Sequence, residues 1–123
     1  MPDSRPFDLE VKPGSVPNST VITASGPLVI ENLFRFQDAW RAEKSQILVF
    51  DFTDLIYMDS SAIGSLVNCH VHCSKTGKKM ALAAVPDRVK QILAVTKVDT
   101  LFQFYPGVAE AVTALSKSLA AQA

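Results

Sequence analysis

Hydrophobic residues along this chain keep changing their spacing, and each change marks an element. From Phe7 to Val11 apolar and polar positions alternate as in an edge strand, and Pro13-Gly14 then begins a turn. Val21-Ile22-Thr23-Ala24 reads as the returning strand, closed by Gly26-Pro27. Val29, Leu33, Phe36 and Trp40 then fall on one helical stripe, with Arg35, Asp38 and Arg41 away from it. Phe34 and Phe36 stand about 200° apart on such a helix, so Phe36 takes the core and Phe34 the edge. Ile47 to Phe52 is apolar on both faces, the mark of a central parallel strand. A loop follows, and then Ile63, Leu66, Val67, His70 and Val71 recur at helical spacing up to a left-handed stop at Gly77. Lys79 to Val85 is a second buried strand, and Pro86-Asp87 opens a helix carrying Val89, Ile92, Leu93 and Thr96 on one face. Leu101 to Tyr105 is a short strand or a packed loop, and Val108, Ala111, Val112, Leu115 and Leu119 form a last amphipathic helix. Strands alternating with helices imply an α/β fold with a mixed sheet.

The 123 residues suit one domain, with residues 1–6 and 120–123 expected as loose tails. An apolar content of 48% is enough for a single core. Lys+Arg and Asp+Glu number 12 each, so no basic excess points to nucleic acid or to an anionic membrane surface. The apolar runs are strand-sized, well short of the ~20 residues that cross a bilayer. Residues 1–10 lack the order of a signal peptide. The two cysteines, Cys69 and Cys73, lie one helical turn apart, where a disulfide is awkward, and the expected setting is a reduced cytoplasm.

The densest candidate chemistry is Asp59-Ser60-Ser61, at the entrance to the second long helix. The first amides of a helix lack intrahelical partners and its dipole makes that end partly positive, which suits Ser, Asp and phosphate alike. One cap suffices, yet three candidates stand in a row, followed by the small residues Ala62 and Gly64. A serine hydrolase is not indicated: His70 lies ten residues beyond Ser60 on the same helix, about 15 Å away by rise alone. The chain has no G-x-S-x-G elbow, P-loop or G-x-G-x-x-G stretch. Cys69-His70-Val71-His72-Cys73 offers soft ligands from one helix only, with no second group elsewhere, so helix packing rather than metal binding is expected, and no cofactor.

Ile47-Leu48-Val49-Phe50-Asp51-Phe52-Thr53-Asp54-Leu55-Ile56-Tyr57-Met58-Asp59-Ser60-Ser61-Ala62-Ile63-Gly64 resembles the signature of the STAS domain, as it occurs in bacterial anti-sigma factor antagonists. There an apolar strand ending in Asp leads through a short loop to Asp-Ser-Ser/Thr-Gly-Leu-Gly. Gly26-Pro27-Leu28 is similar to the family's Gly-x-Leu turn, and nearly the whole chain from about Phe7 to Leu119 can be placed on the pattern. The resemblance implies about four to five strands packed with about four helices. It also implies a non-enzymatic partner switch. The unphosphorylated domain binds an anti-sigma factor that is a histidine-kinase-like serine kinase; this kinase phosphorylates the second hydroxyl, here Ser61, and a phosphatase reverses it. The partner surface would comprise Tyr57, Met58, Asp59, Ser60, Ser61, Ala62 and Ser65, on a monomer or weak dimer in the cytoplasm. Two positions depart from the pattern: Val29 stands where many phosphorylatable members have Asp, and Ala62 replaces the commoner Gly. The first rival is therefore a non-phosphorylated scaffold or transporter-associated subunit with the same fold. The second, an enzymatic or small-molecule-binding domain, needs a pocket with convergent polar groups.

Overall fold

The structure is a computed structural model that describes residues 5–121. Its strands are β1 (Asp8–Pro13), β2 (Ser19–Leu28), β3 (Ile47–Asp51), β4 (Leu55–Met58), β5 (Lys79–Ala83) and β6 (Phe104–Tyr105). Its α-helices are α1 (Leu33–Ala42), α2 (Ser60–Thr76), α3 (Asp87–Val95) and α4 (Val108–Ala121), with 3₁₀ turns at Ile30–Asn32 and Asp99–Leu101. The sheet order is β1-β2-β3-β5-β6, with β4 paired to β2 off this path; β1 runs antiparallel to β2 and every other pairing is parallel. This is the mixed α/β sheet expected, with six strands rather than four to five.

Alternation along the strands makes two cores, since successive side chains point to opposite faces. Ile22, Leu48, Phe50 and Leu82 face α1, α2 and α3, where Phe36 meets Phe50 with ring centroids 5.4 Å apart. Val21, Val49, Ala81 and Ala83 face the other way, onto Ala111, Val112 and Leu115 of α4. Strand β3 lies between β2 and β5 and is buried from Ile47 to Phe50, as its double-sided apolar pattern requires. Gly77 ends α2 at φ +74, its amide bonded to the Cys73 carbonyl, the left-handed stop read from the sequence.

Several assignments differ from expectation. Strand β2 does not close at Gly26-Pro27 but runs on to Leu28, because it changes partner there, leaving β3 and taking up β4 with a register shift. Gly26 makes this possible: its φ is +77, and a Cβ would collide with the Pro6 carbonyl oxygen. Val29 precedes the 3₁₀ turn instead of opening the α1 stripe, which consists of Leu33, Phe36 and Trp40. On α2 Ile63 and Leu66 are buried as expected, together with Ala62, Ser65, Cys69 and Cys73, while Val71 is exposed; eight residues on, helical drift has carried Val71 about 80° from Ile63. At the ends, Pro6 packs against Gly26 and α4 continues through Ala121, so part of each expected tail is ordered, while residues 1–4 and 122–123 lie outside the described range.

Phe36 is fully buried and Phe34 is 69% exposed. Phe36→Ala should cost about 3–5 kcal/mol, and Phe34→Ala about 0.5 kcal/mol or less, the usual range for the surface. Urea titrations of the two variants check this; equal losses would show the helical phase to be wrong.

Candidate functional site

The chain reaches the site through a tight reversal after β3. Asp51 Oδ1 accepts from the Thr53 amide at 3.1 Å and its hydroxyl at 2.6 Å, and the Leu55 amide donates to the Phe52 carbonyl at 3.0 Å. These bonds turn the backbone back beside the outer half of β2, where the Gly26 amide bonds to the Asp54 carbonyl. The stretch expected as a loop therefore contains β4, which carries Tyr57 and Met58.

At the end of β4, Asp59 caps α2. Its Oδ1 accepts from the Ala62 amide at 2.9 Å, and its Oδ2 accepts from the Ile30 amide at 3.0 Å, so one carboxylate holds the starts of both the 3₁₀ turn and α2. Its own amide donates to the Leu28 carbonyl at 3.2 Å, tying the cap to the end of β2. Asn32 completes the frame, accepting from the Val29 amide and donating to the Pro27 carbonyl. The cap is thus Asp59, and neither serine hydroxyl has a hydrogen-bond partner among the described residues. Ser60 is exposed and Ser61 half-buried, at the first two positions of the helix, where amides lack intrahelical acceptors.

The other expected surface residues divide. Tyr57 is exposed, whereas Met58, Ala62 and Ser65 are buried, a correction to the surface read from sequence. Met58 and Ala62 belong to the core, and Ser65 Oγ accepts from the Trp40 indole N–H at 3.3 Å, which fastens α1 to α2. Neighbours in sequence are not neighbours on the surface: strand alternation turns Met58 inward, and the helical period of 3.6 turns Ala62 and Ser65 inward. Conversely, Ile30 is 50% exposed and Phe34, one turn further on, also faces solvent. Ile30 lies in the 3₁₀ turn bonded to Asp59 and Phe34 in the first turn of α1, and only their i, i+4 spacing hinted at them. Gly64 has nothing within 4 Å of where a Cβ would stand, so the fold does not need a glycine there.

The cysteine–histidine segment does not converge. The His70 ring meets Phe102 edge-on at 5.9 Å, while His72 lies 5.6 Å from Trp40 on the side of α1. Cys69 and Cys73 are both buried. The thiol contact to Cys73, reinforced by burial, pushes Cys69 well above the usual thiol range; the same contact, with the Lys78 ammonium and against burial, holds Cys73 below it.

The sequence profile of the STAS domain matches residues 7–111. The chain belongs to the STAS domain family. An anti-sigma factor antagonist from Mycobacterium paratuberculosis shares 20% identity with it at a TM-score of 0.78, over 94% of this chain and 97% of that one. SpoIIAA, the Bacillus cell fate determinant and anti-sigma factor antagonist, aligns at 16% identity in two forms. The unphosphorylated form gives a TM-score of 0.72 over 91% of this chain and 97% of SpoIIAA; the phosphorylated form gives 0.64 over 88% and 97%. The murine Solute Carrier 26 member A9 anion transporter shares 17% identity and a TM-score of 0.72, over 83% of this STAS domain but only 18% of the transporter. No helix among the described residues of this STAS domain is long and apolar enough to cross a membrane.

Asp59→Ala removes the cap and one tie to α1, and should cost about 1–2 kcal/mol. Ser60→Ala and Ser61→Ala remove hydroxyls that have no hydrogen-bond partner among the described residues, and each should cost about 0.5 kcal/mol or less. Gly64→Ala should stabilise by roughly 0.5–1 kcal/mol, the difference in helix propensity. Chemical denaturation of the four variants checks the order; a loss at Ser61 equal to that at Asp59 would show that the serine shares the cap.

Proposed function

We propose that this STAS domain is an anti-sigma factor antagonist in the cytoplasm, switched by phosphorylation of Ser61. Its partner is an anti-sigma factor of the histidine-kinase-like serine kinase class, and a phosphatase restores the binding form. The observation that carries this reading is the division of labour at the start of α2. Asp59 supplies the side-chain cap of α2 and also holds the 3₁₀ turn, while the hydroxyls of Ser60 and Ser61 have no hydrogen-bond partner among the described residues. Exposed apolar side chains stand on the adjoining segments, Ile30 in the 3₁₀ turn bonded to Asp59 and Tyr57 on β4, the usual ingredients of a protein contact.

The physics of the switch follows from that division. Phosphate on Ser61 brings about −1.5 to −2 charges to the positive end of a helix dipole, which the free domain tolerates. In a closed interface the same charge meets the Asp59 carboxylate without water to screen it. A difference of about 5.5 kcal/mol between the bound and free states would take the domain from 99% bound to 99% released. Each part of the fold stays where it is.

Val29 favours a second reading. Its amide is engaged by Asn32 and its side chain brings no acid to the neighbourhood of Asp59. A STAS domain that serves as a constitutive subunit, as a transporter-associated domain would, needs no such acid.

The test is phosphosite mapping after incubation with ATP and the kinase that co-purifies with the tagged domain from its native host, followed by binding titrations. Ser61→Ala should bind without accepting phosphate, Ser61→Asp should fold and bind at least tenfold more weakly, and Ser60→Ala should still be phosphorylated. Phosphate on Ser60, or full affinity for Ser61→Asp, would refute the assignment. Binding intact with no phosphorylation would establish the second reading.

A further inference from the structure

Helices α1 and α2 run side by side in the same direction. Near their starts the Ile30 amide bonds to Asp59; further along, Trp40 bonds to Ser65 and lies against His72. Toward the far end of the pair lies a depression of about 410 Å³, lined by Trp40, Arg41, Asn68, Val71, His72 and Lys75. Seven residues make nearly two turns and return to within about 20° of the same direction. Two turns before Arg41 on α1 is Phe34; two turns before Asn68 and Val71 on α2 are Ser61 and Gly64. By this repeat Phe34, Ser61 and Gly64 share those faces nearer the helix starts, so the track that ends in the depression begins beside the proposed switch.

The chemistry changes along this track. The near end offers an aromatic ring and a bare glycine backbone; the depression begins with Val71, which is 41% exposed. At the far end the Arg41 guanidinium lies over the Trp40 ring, 5.4 Å from its centroid, with Lys75 and His72 opposite on α2. Among the described residues neither Arg41 nor Lys75 has a carboxylate within ion-pair distance, and Asp38, a turn before Arg41, does not reach it. From Ser61 to Lys75 the track is about 21 Å long, the length of a helix of roughly 14 residues. A helix laid along this track would pack its side-chain ridges against those of α1 and α2.

We propose that the α1–α2 track docks an acidic amphipathic helix of the binding partner, its apolar face on Phe34 and Val71 and its carboxylates on Arg41 and Lys75. The identity of that partner as the kinase rests on the partner-switch reading; the chemistry of the helix does not. The track supplies affinity and register, and Ser61 near its start supplies the switch.

The experiment places the photo-crosslinker p-benzoylphenylalanine at position 34 or 71 of the full chain in its native host, and maps the captured segment by mass spectrometry. The segment is then synthesised as a free peptide and titrated. The expected segment has apolar residues at helical spacing with Asp or Glu at one end, and its peptide binds and becomes helical. Arg41→Glu with Lys75→Glu should weaken the peptide at least tenfold, and Phe34→Ala about tenfold, in variants whose circular dichroism is unchanged. Absence of a crosslink, a crosslink to another copy of this chain, or a segment without acids would overturn the proposal. So would charge-reversed variants that bind normally, and that result would leave the Ser61 reading intact. An acidic helix captured equally by Ser61→Asp would sustain the docking track and refute the switch.

Discussion

One carboxylate joins the parts of this molecule that matter. Asp59 accepts one amide from the first turn of α2 and one from the 3₁₀ turn before α1, two segments separated by 29 residues in sequence. Helix starts leave amides without partners, and each must find an acceptor in the protein or in water. By serving both starts, Asp59 fixes where α1 and α2 begin relative to each other, and the Trp40–Ser65 bond fixes where they run. The depression between Trp40 and His72, and the place of Ser61 near the paired helix starts, are consequences of those two contacts.

The sheet delivers Asp59 to that place. Strand β2 pairs with β3 along its first half and with β4 along its second, and the exchange occurs at Gly26, the residue whose backbone tolerates it. This lets β4 lie at the level of Leu28, so that α2 starts beside the end of β2 instead of above β3. A side chain at position 26 would disturb a site it never touches. The core below is indifferent to these details: Phe36, Phe50 and Phe52 interlock under α1 and α2 whatever happens at the surface.

How far the sequence revealed this depends on the range of the interaction. Strand β3, the stop at Gly77 and the opposite fates of Phe34 and Phe36 are set by local spacing and read correctly. Strand β4 was hidden, because Leu55–Met58 is too short for its alternation to stand out from a loop. Its pairing with the far half of β2 is a tertiary fact. Likewise three candidate caps were visible in Asp59-Ser60-Ser61, but the choice among them turned on the Ile30 amide, which only folding brings near. Met58, Ala62 and Ser65 were assigned to the surface for the same reason: adjacency in the chain carried them there, and helical and strand geometry turned them inward.

The central claim is that the fold has no use for the Ser61 hydroxyl and is therefore free to have it modified. The most direct measurement is the stability of the domain with phosphoserine incorporated at position 61 during translation, compared with the unmodified chain by urea denaturation and by amide chemical shifts. The account predicts a change of about 1 kcal/mol or less, since the helix dipole favours the charge that Asp59 opposes, with shift changes confined to residues around 28–34 and 57–65. A loss of several kcal/mol, or shifts spreading through β3 and β5, would mean that the hydroxyl is part of the fold, and would contradict it.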